Sequence, residues 1–165
     1  MSKSICLINP RSDFPTYFGG EVYGTSGFAP AVLMADLAAP TVAALAPPAF
    51  DVRICDENIS PVEIEDADFV CITGKTTQYK RMVALAEEFR RQKRTVIIGG
   101  PHASLSPESL RPHCDILVRG EIEEIAGELF ADLLNSCWKE EYVGGRPDLA
   151  RSPVPLWSAY PNHRA

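Results

Sequence analysis

The feature that most constrains this chain is a series of short apolar runs, rich in β-branched residues and almost free of polar alternation. They are Ile5-Cys6-Leu7-Ile8, Val52-Arg53-Ile54-Cys55, Phe69-Val70-Cys71-Ile72 and Val96-Ile97-Ile98, with a shorter fifth, Ile116-Leu117-Val118. A strand with one wet face alternates apolar and polar residues; a strand covered on both faces does not. These runs therefore predict parallel strands buried between two layers of helices. The intervening segments carry the helical period. From Gln78 to Arg91, Met82, Leu85, Ala86 and Phe89 make one apolar stripe among charged neighbours. From Glu123 to Ser136, Ile125, Leu129, Phe130, Leu133 and Leu134 make another. Pro40 suits the first turn of a helix reaching about Leu45, Ala31 to Leu37 reads as a separate helical turn, and Pro107 opens a short helix through Leu110. Strands alternating with helices require right-handed crossovers. The fold class expected is α/β, a doubly wound five-stranded parallel sheet in the flavodoxin-like order 2-1-3-4-5.

Two segments break the pattern. Residues 9 to 30 form a long loop after the first strand. Residues 142–165, with Gly144-Gly145 and four prolines, read as a linker or tail, so the folded domain is expected to be 1–141.

Net charge is −6, which disfavours binding nucleic acid through its phosphates. No apolar run approaches the roughly 20 residues of a membrane span. Met1-Ser2-Lys3-Ser4 leads straight into a strand, without a signal peptide, and the cytoplasm is the expected compartment. The five cysteines are odd in number and widely spaced, unlike a disulfide framework or a zinc site. A structural role is expected for all five.

Ligands of open α/β sheets sit beyond the carboxyl ends of the strands. Those ends here run into Asn9-Pro10-Arg11, Thr73-Gly74-Lys75-Thr76-Thr77, Gly99-Gly100-Pro101-His102-Ala103 and Arg119-Gly120-Glu121. Gly99-Gly100 permits close approach to the backbone, or a tight turn into a helix. Thr73, Thr76 and Thr77 offer hydroxyls to a ligand, or helix caps. Together they describe a glycine-floored slot edged by hydroxyls, better suited to a long polar ligand arm than to a metal ion. His102 can contact a ligand or orient its own loop. Glu121 is a better ligand candidate than Glu123 or Glu124, which suit a helix N-terminus.

Several familiar sites fail. Gly74-Lys75-Thr76 resembles the end of a phosphate-binding loop, but the required glycine five residues earlier is Phe69. No G-x-G-x-x-G follows the first strand, the third strand lacks the Asp of a receiver domain, and no G-x-S-x-G is present.

The segments Ile8-Asn9-Pro10, Val52-Arg53-Ile54-Cys55-Asp56-Glu57-Asn58, Gly99-Gly100-Pro101-His102-Ala103 and Val118-Arg119-Gly120-Glu121, in this order, carry a resemblance. The chain resembles, over about residues 4 to 150, the N-terminal cobalamin-binding domain of cobalamin-dependent radical SAM enzymes. Thr41-Val42-Ala43-Ala44-Leu45 and Gly145-Arg146-Pro147-Asp148-Leu149 look most like the hopanoid C-2 methyltransferase type. The resemblance implies a corrin ring over the strand ends and a nucleotide tail in the slot. By position, Thr73, Gly74, Thr76, Thr77, Gly99 and Gly100 would touch the tail. Pro101, His102, Ala103, Gly120 and Glu121 would form the rim. The loop from Asn9 to Phe18, including Pro10 and Arg11, would face the lower side of the corrin.

Two departures bear on function. The D-x-H-x-x-G of methionine-synthase-like domains is absent: two residues after Asp13 stands Pro15, so cobalt is expected in the His-off form. The C-x-x-x-C-x-x-C that holds a radical SAM cluster is also absent, so S-adenosylmethionine and a [4Fe-4S] cluster are expected only in a catalytic domain outside this chain. The chain ends where a linker to such a domain would run. The expectation is a module without turnover of its own, presenting cobalamin to a radical SAM domain in cis or in trans, for methyl transfer. The alternatives are a ligand-free flavodoxin-like docking or regulatory module and a small enzyme acting through His102 and Glu121.

Overall fold

A computed structural model describes residues 2–14, 35–63 and 66–161. In chain order the elements are β1 (Lys3–Asn9), α1 (Ala38–Leu45), β2 (Phe50–Asp56), β3 (Phe69–Thr73), α2 (Tyr79–Arg91), β4 (Thr95–Gly99), α3 (Pro101–Leu105), α4 (Pro107–Leu110), β5 (Ile116–Arg119), α5 (Ala126–Asn135) and β6 (Glu141–Val143). Among the described residues the strands form one sheet, in the order β2-β1-β3-β4-β5-β6, with every pairing parallel. The 2-1-3-4-5 order expected from sequence is present.

The expected count of five strands is corrected to six. β6 pairs with β5 through Leu117–Glu141, Val118–Tyr142 and Arg119–Val143, and it straddles the boundary expected between residues 141 and 142. It escapes sequence reading because an edge strand has one neighbour and needs no continuous apolar run. Of its three residues only Tyr142 is buried, and its hydroxyl donates to Asp132 at 2.6 Å. Burial and that bond push the Tyr142 phenol up to about 12.

Strand parity divides the interior into two cores. On one face Leu7, Phe69, Ile97, Ile116 and Val118 pack against α1 and α5, with the rings of Phe50 and Phe130 5.4 Å apart. On the other, Ile8, Val70, Ile72, Val96 and Ile98 pack against α2 and α4. Helix α2 buries Met82, Leu85, Ala86 and Phe89, the stripe read from its period. Helix α5 starts later than its periodicity indicated. Residues 122–125 form a turn instead, and Leu134 is left exposed. Of the helical turn expected over Ala31 to Leu37, residues 31–34 lie outside the described residues.

The stretch after β6 folds back on the domain. Leu156 N–H donates to the Pro40 carbonyl at 2.9 Å, and Tyr160 is buried, its hydroxyl donating to the Asp56 carboxylate.

Candidate functional site

A cavity of about 680 Å³ lies on the α1/α5 face, beneath the carboxyl ends of β3, β4 and β5. Its floor follows from strand parity: Cys71 and Thr73 on β3, Ile97 and Gly99 on β4, and Val118 on β5 share this face. Helix α1 supplies Ala38, Ala39, Thr41 and Val42 as one wall, and α5 supplies Leu129, Phe130 and Leu133 as the other. Gly100, Pro101, Ser104, Gly120, Glu121 and Glu123 form the mouth on the β4–β5 side. A 2.8 Å ion pair between Lys75 and Asp36 lies at the opposite lip.

The glycines at this rim have different causes. Gly100 takes φ +90°, and a Cβ there would lie 2.5 Å from the Thr73 hydroxyl. Gly120 takes φ +70° and would place a Cβ 2.2 Å from the Gly144 carbonyl. The chain's own backbone demands both. Gly99 is different. A Cβ on it would meet its nearest neighbour, Val118, at an ordinary 3.5 Å, and its φ is regular. The protein's packing has no need of glycine at 99; a side chain there would project into the cavity. Ser104 stitches this side together, its hydroxyl accepting from Gly120 N–H at 2.9 Å and donating to the Gly100 carbonyl at 3.2 Å.

Of the candidate residues from sequence, Thr73, Gly99, Gly100, Pro101, Gly120 and Glu121 line the cavity. The others stand outside its lining. Gly74 is buried against Met82, whose sulfur would lie 2.6 Å from an added Cβ. Thr76 and His102 face each other, Oγ1 to Nδ1 3.2 Å; His102 Nε2 lies 3.2 Å from the Ser109 hydroxyl, and its backbone N–H donates to Gly74 O at 3.0 Å. Both ring nitrogens of this buried histidine thus meet the chain's own hydroxyls, and the ring packs on Tyr79 at 5.0 Å. Ala103 is buried in the α2/α4 core. The Thr77 backbone carbonyl accepts the Asp13 N–H at 2.7 Å.

Asn9, Pro10 and Arg11 sit over the gap between β1 and β3, where the strand order reverses. Asn9 is buried and donates to Asp56 Oδ2 at 2.8 Å, while Gln78 Nε2 donates to Asn9 Oδ1 at 2.9 Å and to the Pro10 carbonyl. Gln78 Oε1 accepts Lys75 N–H at 2.7 Å. The Arg11 side chain is exposed, and its N–H is fixed by Glu57 at 3.1 Å. Glu57 also pairs with Arg81 at 2.6 Å, a bond that raises the Arg81 pKa. Residues 15–18 of the loop expected to face the corrin lie outside the described residues.

Sequence reading missed three kinds of residue: Gln78 and Asp56, which close the switch point; the α1 and α5 walls; and Cys71, Ile97 and Val118 on the floor. Parity along the runs was the available signal for the floor. Burial holds the Cys71 thiol up at about 12, so it presents a neutral S–H to the cavity. Among the described residues no group of three His, Cys, Asp or Glu side chains is placed to hold a metal ion. No helix among them is long and apolar enough to cross a membrane.

A doubly wound sheet with an apolar slot opening at its strand ends, beside the switch point, defines a nucleotide- or cofactor-binding class of α/β domain. Within that class the chain belongs to the B12-binding domain family, which matches residues 30–130. Its similar proteins include the bacteriochlorophyllide d C-8(2)-methyltransferase of Chlorobaculum tepidum, 33% identical over 108 residues, 64% of this chain and 24% of that protein. The C-12(1)-methyltransferase of the same organism is 32% identical over 104 residues, 61% of this chain and 23% of that protein. An uncharacterized methyltransferase of Synechocystis sp. is 29% identical over 135 residues, 76% of this chain and 24% of that protein. The chain thus spans about a quarter of the length of these relatives. No solved structure matches it.

Proposed function

We propose that this domain binds cobalamin in the His-off form and presents it to a radical SAM catalytic domain, in cis or in trans, for methyl transfer. Gly99 carries the reading: a glycine that the fold does not require, on the face of a slot of about 680 Å³. Thr73, Gly99 and Gly100 would hold the nucleotide tail, and Pro101, Gly120 and Glu121 would border the ring. Asn9, Pro10 and Arg11 would lie under the corrin edge. Gly74, Thr76, Thr77, His102 and Ala103 would hold that rim in place from behind. The His-off reading is supported by two facts. No histidine occurs between residues 9 and 30, and His102 is engaged by Thr76 and Ser109.

Bound cobalamin would supply a carried methyl group; the chain's residues bind it, orient it and shield its tail from water. S-adenosylmethionine and a [4Fe-4S] cluster belong, on this reading, to the catalytic domain. The segments Thr41–Leu45 and Gly145–Leu149 favour the hopanoid C-2 type for the parent enzyme, acting in the cytoplasm. A ligand-free docking module gains no support from a retained, open slot. The test is gel filtration after incubation with hydroxocobalamin at tens of micromolar protein. Co-eluting corrinoid with a shifted visible spectrum is expected, and a reduced sample should give a cobalt(II) EPR signal without nitrogen superhyperfine splitting. Absence of retained corrinoid would remove the proposal.

A further inference from the structure

The stretch after β6 is tied to both walls of the slot. Gly144 N–H donates to the Arg119 carbonyl at 2.8 Å, which starts the stretch at the end of β5. The Ser152 hydroxyl then donates to Glu123 at 2.9 Å, in the turn that opens α5. Four residues on, Leu156 N–H donates to the Pro40 carbonyl at 2.9 Å, in the first turn of α1. Beyond it Ala159 and Tyr160 pack into the core that α1 and α5 share. Glu123 lines the slot, and so do Ala39 and Thr41 on either side of Pro40. One short segment thus holds the entrances of both wall helices, while residues 152–156 themselves stand outside the lining.

Between those two bonds the sequence reads Ser152-Pro153-Val154-Pro155-Leu156. Proline fixes φ at about −65° and has no N–H, so the two prolines stiffen the segment and leave no donor unpaired. Ser152 takes φ −61° and ψ 138°, the extended geometry of a polyproline stretch. At about 3.1 Å per residue, the four steps to Leu156 span roughly 12 Å. Resting on the cobalamin reading, we propose that Ser152–Leu156 is a strut that sets the spacing of the α1 and α5 walls, so that docking of this segment and corrinoid binding in the slot favour each other. A ligand lying between the walls acts on the same spacing that the strut fixes. With the strut docked, the walls need little ordering when the ligand enters. With it released, that ordering opposes binding. The linkage is reciprocal: bound corrinoid holds the strut down by the factor by which the strut tightens corrinoid binding.

The test has two arms, both on the 165-residue chain. In the first, mass spectrometry follows trypsin cleavage after Arg151, an exposed residue at the base of the strut, at doses that leave the sheet and α2 intact. Saturating hydroxocobalamin should slow this cut about 5-fold or more. In the second, Pro153→Gly with Pro155→Gly restores flexibility without deleting a hydrogen bond. Equilibrium dialysis should show hydroxocobalamin held about 5-fold more weakly, with the far-UV circular dichroism unchanged. Equal cleavage with and without bound corrinoid, or an unaltered affinity in the folded variant, would overturn the strut while leaving the cobalamin reading intact. Failure of the unaltered chain to retain corrinoid would overturn both.

Discussion

Two regions lie at the carboxyl ends of the strands, a few residues apart, and they have been treated in opposite ways. The gap between β1 and β3, where the strand order reverses, is the expected ligand crevice of a doubly wound sheet. Here the chain fills it with its own polar groups: Gln78 reaches across to Asn9 and Pro10, and Asn9 is tied to Asp56. One strand further on, beneath β3 and β4, the chain leaves space, floored by Gly99 and walled by α1 and α5. Rigidity and open space are separate properties of this rim. A satisfied polar plug fixes the relative position of the loops after β1, β2 and β3. Those fixed loops frame the slot. Location at the switch point is thus a poor guide by itself, because the question is which groups the chain has already satisfied.

The largest effect should come from the plug. The Asp56 carboxylate is wholly buried and accepts from Asn9, from the Asn58 backbone and side chain, and from Tyr160. Asp56→Ala strands these donors, and urea unfolding should register a loss of about 4 kcal/mol. A loss under about 1 kcal/mol would mean the plug is not a structural unit. The slot should respond differently. Gly99→Val should leave the urea midpoint almost unchanged, while corrinoid retention falls about 100-fold, the upper end of an overpacking cost of roughly 3 kcal/mol. If both properties fall together, the distinction between the two regions fails.

A smaller effect tests how the C-terminal stretch joins the plug. Burial and the bond to Asp56 both raise the Tyr160 pKa, so the phenol stays protonated and donating. Tyr160→Phe keeps the ring and deletes one charge-assisted bond, an expected loss of about 1.5–2 kcal/mol. Limited proteolysis should then cut sooner within residues 144–159. The smallest effect lies outside both regions, on the β5–β6 edge, and serves as a control. Hydrogen bonds from Arg111 and then Arg119 hold the Glu141 carboxyl below its ordinary pKa. A depressed carboxylate pKa stabilises the fold above the unfolded value, and that contribution is lost as pH falls through the folded pKa. Glu141→Gln should flatten the acid side of a Tm-against-pH curve slightly, less so at high salt, and leave corrinoid binding unaltered.

Much of the fold was legible. Short unalternated runs rich in β-branched and aromatic residues, such as Phe69–Ile72, read as strands covered on both faces, and the stripe of α2 gives it one buried side. β6 was not legible, since Tyr142 makes it a strand through a neighbour, Asp132, that no local pattern reveals. The site was partly legible. Gly99 and Gly100 stand side by side in sequence with the same apparent meaning. In space one faces the slot while the other answers to φ +90° and the Thr73 hydroxyl. For His102 the sequence left ligand contact and loop orientation open, because its partners, Thr76 and Ser109, lie on other turns of the chain.

The sequence by itself determined the layer architecture, the strand order and the rim on which any ligand must sit. Those follow from periodicity, chirality of crossovers and the polarity of strand ends, all local properties of the chain. Only the tertiary structure decided which part of that rim is closed and which is open. Closure depends on polar groups finding partners far away in sequence, as Asp56 finds Tyr160 and Asn9 finds Gln78. Opening depends on two helix walls, α1 and α5, held apart over a strand whose last facing residue is a glycine.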